Sequence, residues 1–337
     1  MKVNKENIKT LFAQFSDTVV LIIGDVMLDD YILGNVSRIS PEAPVPVVDI
    51  KKRYVCLGGA ANVALNIQSL GAKPILCSVI GQDRKSADFL ETMNNEQLST
   101  EGIIQSPNRI MTTKYRAIGN NMQLLRLDSE ITHNLIEEDE QNFLNSLSHI
   151  INNQKVSAII FEDYDKGVIT SRVIREIVSL ADKKAIPIMV DPKKRNFMDY
   201  QKITIFKPNW KELKDGLSLT SSTWEDANLL KKIQEFMQEK QHKNILLTLG
   251  GDGVLICAFK DSQFTYTHIE ACRRNIADVS GAGDTVISVA TLCWVLGLEV
   301  ENIAMLSNLA GGLVCEEIGV VAIHKDKLME EIQCFLA

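Results

Sequence analysis

The sequence predicts an α/β fold, a mostly parallel central sheet flanked by helices, with a small β-sheet standing outside it. Three observations carry that expectation. Short β-branched apolar runs alternate with helix-period segments, the signature of βα crossovers. Two stretches with no crossover helix interrupt the alternation. Finally, a chain of 337 residues that is 45% hydrophobic can bury a large core without disulfides or metal.

Strands are expected at residues 19–23, 74–80, 158–161, 187–190, 203–206 and 244–249. Helices are expected between them, at 60–70, 86–94, 138–152, 171–184, 222–240 and 284–296, with Gly71 closing the first. Residues 31–53 are hostile to helix, with Pro41, Pro44, Pro46 and a β-rich run at 45–50. Residues 110–128 read as a hairpin turning at Gly119-Asn120-Asn121. The expected organisation is one domain over residues 1–337 with a discontinuous lid at about 31–53 and 110–128. Such a sheet would cover the strand ends, where open α/β sheets bind ligands.

Charge and composition exclude several functions. Thirty-six basic against forty-three acidic residues leave a net charge of −7, a poor match to nucleic acid. No apolar run approaches the ~20 residues that span a bilayer. The apolar run at 19–23 meets acidic residues at once, so it reads as a strand and not a signal peptide. Seven scattered cysteines without a CxxC pair, and five histidines without metal spacing, suit a reducing cytoplasm.

The sharpest motif is Asp278-Val279-Ser280-Gly281-Ala282-Gly283-Asp284-Thr285, just ahead of an apolar helical run. Its glycines let backbone approach a ligand, and the first helical turn offers unpaired N–H groups and a positive dipole end. That combination is an anion hole for a phosphoryl group. Asp284 beside it is placed to take a proton from an attacking hydroxyl. A Gly-rich turn with an Asp cap explains the string alone equally well.

Thr248-Leu249-Gly250-Gly251-Asp252-Gly253 follows a buried run and allows backbone contact with a nucleotide, though Asp252-Gly253 alone favours a hairpin turn. In Lys207-Pro208-Asn209-Trp210-Lys211-Glu212, Asn209 and Glu212 have capping-box spacing. They could also order a hydrated Mg²⁺, which takes few protein ligands. Asp25 after Gly24, together with Gly58, Gly59 and Asn62, would place polar groups for a polyol, or simply form a loop before a packed helix. Lys114, Arg116 and Arg126, with Lys193, Lys194 and Arg195, could meet an anionic substrate, or be solvated surface charge.

In this order the pieces resemble the ribokinase-like (PfkB) carbohydrate kinases. Within them the chain is similar to the bacterial D-glycero-β-D-manno-heptose-7-phosphate kinases. That resemblance runs over nearly the whole chain, through Gly24-Asp25, residues 37–48 (SRISPEAPVPVV, with Glu42), 58–64 (GGAANVA), 123–128 (QLLRLD), 163–167 (DYDKG) and 278–285 (DVSGAGDT). It implies ATP as phosphoryl donor, with Mg²⁺. Asp284 would be the base, and Gly281, Ala282 and Gly283 the anion hole. Asn209, Trp210, Lys211 and Glu212 would form the ATP and Mg²⁺ segment. Thr248, Gly250, Gly251 and Gly253 would form the nucleotide loop, and Asn308 would lie near the adenine. Asp25, Gly58, Gly59 and Asn62 would contact the sugar, and Glu42, Lys114, Arg126 and Lys193 join the substrate set. Asp278 marks the position where several relatives use K⁺. The resemblance also implies a homodimer paired through the lids.

Many members carry a C-terminal nucleotidyltransferase; this sequence shows no HxGH-type motif, so a separate adenylyltransferase partner is expected. Glu162 departs from the small residue usual before Asp163. A kinase for another sugar phosphate, and a non-catalytic sensor of sugar phosphate or nucleotide, remain the alternatives.

Overall fold

A computed structural model describes residues 3–120, 122–220 and 223–336. The first half runs α1 (Ile8–Ala13), β1 (Val19–Gly24), β2 (Val26–Ile39), β3 (Pro46–Gly59), α2 (Ala60–Ser69), β4 (Lys73–Ile80), α3 (Arg84–Asn95), β5 (Gly102–Gln105), β6 (Thr113–Gly119) and β7 (Met122–Ser129). There follow α4 (Glu137–Asn153), β8 (Ala158–Glu162), α5 (Ser171–Lys183), β9 (Ile188–Asp191), β10 (Ile205–Phe206) and α6 (Trp210–Gly216). The chain ends through α7 (Ala227–Lys240), β11 (Asn244–Thr248), β12 (Val254–Lys260), β13 (Gln263–Ile269), α8 (Ala282–Val295), α9 (Val300–Val314) and α10 (Lys325–Phe335).

Nine strands form the main sheet in the order β13-β12-β11-β10-β9-β8-β1-β4-β5. From β11 to β5 neighbouring strands are parallel; β12 and β13 are antiparallel. The strand order reverses between β1 and β8, the switch point at which such sheets open a crevice.

Alternation along each strand divides the core into two layers. Val20, Ile22, Ile160, Met189 and Ile205 pack with α2, α8, α9 and α10. Leu21, Ile23, Ile159, Phe161, Val190 and Phe206 face the opposite way, against α4, α5 and α7. This parity decides what reaches the site. Residues two beyond Ile160, Met189 and Ile205 extend that facing to the α8 side: Glu162 and Asp191 close β8 and β9, and Lys207 directly follows β10. Asp25, two beyond Ile23, closes β1 on the other side.

Four strands form the second sheet, ordered β3-β2-β6-β7. Its long ribbon starts at Val26 and returns at Gly59, outside the expected 31–53. Residues 26–31 and 57–59 are buried at the ribbon's base, so their composition reads as core. In the hairpin, strand pairing starts at Thr113 and reaches Ser129. The turn residue Asn121 and the expected helix start at Ser222 lie outside the described residues. Residues 254–260 and 263–269 form a β-hairpin, and α1, α9 and α10 add helices, none of which the strand and helix assignment from sequence contained, whereas α6 starts at the capping box read at Asn209 and Glu212. Among the described residues, no helix is long and apolar enough to cross a membrane.

Candidate active site at the N-terminus of α8

Gly281 caps α8 with φ of +80°, a left-handed conformation that favours glycine. A Cβ there would lie 2.8 Å from Asn62 Nδ2. The tight approach brings α2 against α8, and Asn66 fixes it by accepting from the Thr285 hydroxyl at 3.0 Å. Gly281, Ala282 and Gly283 remain half-buried, so the first amides of a 14-residue helix face open space. Asp284 sits in that turn and is buried.

Asn62 Nδ2 donates to Asp284 Oδ2 at 2.7 Å, and the Tyr164 hydroxyl donates to Oδ1 at 2.9 Å. Burial pushes the Asp284 carboxyl up to about 6, with the charge of Asp191 adding to the rise; the bonds from Asn62 and Tyr164, and Lys207, oppose it. The group is thus ionised at neutral pH and protonated in mild acid. If it serves as a base, turnover falls as pH drops through about 6. Removing the Tyr164 donor, as in Tyr164→Phe, moves that limb to higher pH. A pH–kcat/KM profile of both proteins checks this, and a flat profile down to pH 5 excludes Asp284 from the rate.

Around Asp284 the strand ends bring charge. Lys207 Nζ lies 2.7 Å from Asp191 Oδ2, and Lys193 Nζ lies 3.7 Å from Asp191 Oδ1 while also pairing with Glu212. Burial works against the charge of Lys207, but Asp191, Glu212 and Glu162 hold its pKa above the ordinary lysine value. Lys114 and Lys193 stand over the Tyr164 ring, 5.7 and 5.3 Å from its centroid. Lys114, Lys193, Tyr164, Asn62 and Asp284 therefore form one connected group.

Other expected residues are placed differently. Asp25 carries no open carboxylate. It accepts from the amides of Tyr164, Lys166 and Val168 at 3.0, 3.1 and 3.0 Å, on the opposite side of the sheet from α8. It positions the loop that delivers Tyr164. Gly58 and Gly59 end β3, where a Cβ would strike Asp29 and the Asp25 carbonyl respectively. Glu42 lies in the exposed turn between β2 and β3, at the end of the ribbon away from Gly59. Arg126 is exposed on β7 and paired with Asp128 at 3.1 Å. Arg116 pairs with Asp29, and Arg195 donates to the Thr132 carbonyl.

Asn209 and Glu212 build the capping box of α6: Asn209 Oδ1 accepts from the Glu212 amide at 2.9 Å and Glu212 Oε2 from the Asn209 amide at 2.8 Å. Trp210 begins α6 under the Lys214 ammonium, and Lys211 is exposed. Thr248 bridges to Asn209. Gly250 and Gly251 have open space where a side chain would stand, whereas a Cβ on Gly253 would fall 2.1 Å from the Ile269 carbonyl. The loop is therefore both the β11–β12 hairpin connection and an open backbone edge. It borders a cleft of about 580 Å³ lined by Trp210, Trp224, Leu249, Gly251, Glu270 and Arg273. Asn308 Nδ2 donates to the Glu270 carbonyl at 2.8 Å, fixing the rim of that cleft. Asp278 accepts from the amides of Ser280 and Gly319 at 2.9 and 3.0 Å. Burial opposes its charge, but these amides hold its carboxyl below the usual range.

Sequence reasoning gives no role to Tyr164, Glu162, Asp191 or Lys207. Glu162 and Asp191 close strands, and Lys207 follows one, in the same facing, a signal visible only once strand ends are known to the residue.

Residues 17–327 match the pfkB family of carbohydrate kinases. A relative, bifunctional protein HldE of Methylobacillus flagellatus, is 35% identical over 314 residues, 93% of this chain. This chain spans only 63% of that relative's length. Among solved structures, phosphofructokinase-2 from Escherichia coli in complex with potassium superposes with a TM-score of 0.74 at 18% identity, covering 95% of this chain and 99% of that one. Arabidopsis thaliana ribokinase complexed with ribose and ATP gives 0.68 at 15% identity, covering 93% and 98%. With the family match covering most of the chain, and a glycine-capped helix presenting a buried carboxylate at the sheet's switch point, the chain belongs to the pfkB family of carbohydrate kinases, phosphotransferases with an alcohol group of a carbohydrate as acceptor.

Proposed function

We propose that this kinase transfers the γ-phosphoryl group of ATP to the C1 hydroxyl of D-glycero-β-D-manno-heptose 7-phosphate. The product is the 1,7-bisphosphate, a precursor of ADP-heptose for lipopolysaccharide. The observation that carries the chemistry is Asp284, buried at the α8 N-terminus and oriented by Asn62 and Tyr164. Its carboxylate accepts the hydroxyl proton while the amides of Gly281, Ala282 and Gly283 stabilise charge on the transferring phosphoryl oxygens. The resemblance through residues 37–48 and 123–128 supports the heptose.

Lys114 and Lys193 flank Tyr164 and suit the substrate's anionic end. The cleft beside Gly250 and Gly251 suits the nucleotide, with Asn308 near its base. Both Glu212 oxygens already have partners, so its fit to Mg²⁺ is through water, with Asn209 alongside. Mg²⁺ neutralises charge on the nucleotide phosphates when bound. Asp278, kept ionised by amides, is the residue suited to K⁺. The small sheet serves as a lid that excludes water as a competing acceptor. Its exposed Ile39, Ile50, Met122, Leu125 and Leu127 support pairing with a second subunit, which a monomeric mass by sedimentation equilibrium would rule out. The setting is the cytoplasm, with nucleotidyl transfer as a later step.

A coupled ADP-release assay tests the substrate. Turnover on the heptose 7-phosphate should exceed that on fructose 6-phosphate by well over tenfold. Equal rates would defeat the heptose assignment, and tight ligand binding without ADP release would favour a sensor.

A further inference from the structure

Tyr164 reaches Asp284 from the loop between β8 and α5, and two buried groups of opposite charge grip that loop. Asp25 accepts from the amides of Tyr164, Lys166 and Val168. Arg109, only 6% exposed, donates through Nη2 to the Lys166 carbonyl. Lys166 thus turns its amide toward a buried anion and its carbonyl toward a buried cation, and both bonds are charge-assisted.

A guanidinium is rarely buried unless a carboxylate pairs with it. Among the described residues none is in ion-pair contact with Arg109; burial works against its charge, and Asp25 and Asp139 lend it only their field. Its Nη atoms bond carbonyls instead, and its buried Nε has no partner. What those carbonyls belong to explains the expense. Nη1 donates to the His133 carbonyl at 2.9 Å. Arg109 lies just before β6 and His133 just after β7, the two strands that pair from Thr113 and Ser129 outward. Both stems of this hairpin and the Tyr164 loop therefore meet at one planar fork of donors, a geometry that lysine lacks.

Other ties run between the same segments. The Leu135 amide donates to the Gly167 carbonyl at 3.0 Å, and Lys166 Nζ lies 2.8 Å from Glu130 Oε2. Gly167 has φ of +89°, and a Cβ there would fall 2.0 Å from the His133 carbonyl. Beyond the junction the hairpin carries Lys114, whose ammonium stands 5.7 Å from the centre of the Tyr164 ring.

We propose that Arg109 is a positioning residue for phosphoryl transfer: by fastening both stems of the β6–β7 hairpin to loop 163–168, it sets the Tyr164 hydroxyl on Asp284 and holds Lys114 over the Tyr164 ring. The small sheet and the base are then mechanically one unit. Arg109 acts through Tyr164 and touches no reactant, and its catalytic consequence rests on Asp284 as the base.

Arg109→Lys keeps the charge but removes the fork. Hydrogen exchange at the amides of Tyr164, Lys166 and Val168 should become about 10-fold faster or more, the weight of one hydrogen bond to a charged group. The acid limb of kcat/KM should move to higher pH, toward that of Tyr164→Phe, because the tyrosine hydroxyl holds the Asp284 pKa down. The other charged groups facing Asp284, which are Asp191, Lys207 and Glu162, stay in place. Combining Arg109→Lys with Tyr164→Phe should therefore move the limb no further than Tyr164→Phe alone. A residue that only stabilises the fold would lower the urea midpoint and leave the limb where it is. Unchanged exchange, an unmoved limb, or additive shifts in the double variant each overturns the proposal. Should Arg109→Lys not fold, native-state exchange of the unaltered protein decides. As denaturant rises, the amides of Tyr164, Lys166 and Val168 must open together with that of Leu135 on the hairpin stem, and separate opening overturns the proposal. Exchange needs no turnover. An active kinase whose loop exchanges alike in both proteins overturns this proposal alone, and faster exchange in the variant of a protein without kinase activity overturns the functional reading alone.

Discussion

Replacing Asp284 by Asn should lower kcat by about 10²–10⁴-fold, the usual worth of a general base. In activation free energy that is ~3–5 kcal/mol. Asn keeps the size of the side chain and an oxygen that can accept from Asn62 or Tyr164, so the α2–α8 contact should persist. The missing element is the negative charge that receives the proton. The amides of the helix terminus and the cleft beside Gly250 are untouched, so ATP affinity should change little. Single-turnover kinetics and calorimetric titration with ATP separate these effects. Near-normal turnover in the variant would remove Asp284 from the mechanism.

Asp25→Ala should be costly for a different reason. The substitution strands three amides, that of Val168 in a buried setting and those of Tyr164 and Lys166 in a partly buried one. Each unsatisfied donor costs ~1–3 kcal/mol, so the loss is about 3 kcal/mol or more even if water recovers part of it. The loop so released carries Tyr164, so kcat should fall too, by less than in Asp284→Asn. Urea denaturation measures the first effect and the pH profile of residual activity the second. If instead stability is unchanged and only the KM for the sugar phosphate rises, Asp25 acts on substrate and its positioning role is excluded. Asp25→Asn separates shape from charge, since it retains an acceptor oxygen but places an amide donor against backbone N–H groups.

The difference between Asp284 and Asp25 shows what could be read from the chain. Both follow a glycine close to the end of an element, and in sequence they look equally suited to a sugar hydroxyl. Asp284 was legible because glycines followed by a helix define an anion-binding terminus through local geometry alone. Asp25 was not, because its role depends on which way the residue just after β1 faces and on a loop more than a hundred residues away. Asn209 and Glu212 fall between these cases: their spacing encodes a capping box, which forms, while the Lys193 partner of Glu212 comes from a separate loop. The base of the small sheet was hidden for a related reason. Residues 26–31 are buried there, and their composition cannot be told from that of a core strand.

By itself the sequence determined the α/β architecture, the two stretches that leave it, the glycine-capped helix and the carboxylate in its first turn. These are written in local periodicity and in backbone freedom, which neighbours in the chain control. Tertiary structure alone decided that Tyr164 orients that carboxylate, that Lys114 and Lys193 share one ring, and that Glu162 meets Asp191 and Asp284 in a buried group. The reason is geometric: strand register and side-chain parity, set by packing against distant helices, choose which strand-end charges converge, and no local pattern carries that choice.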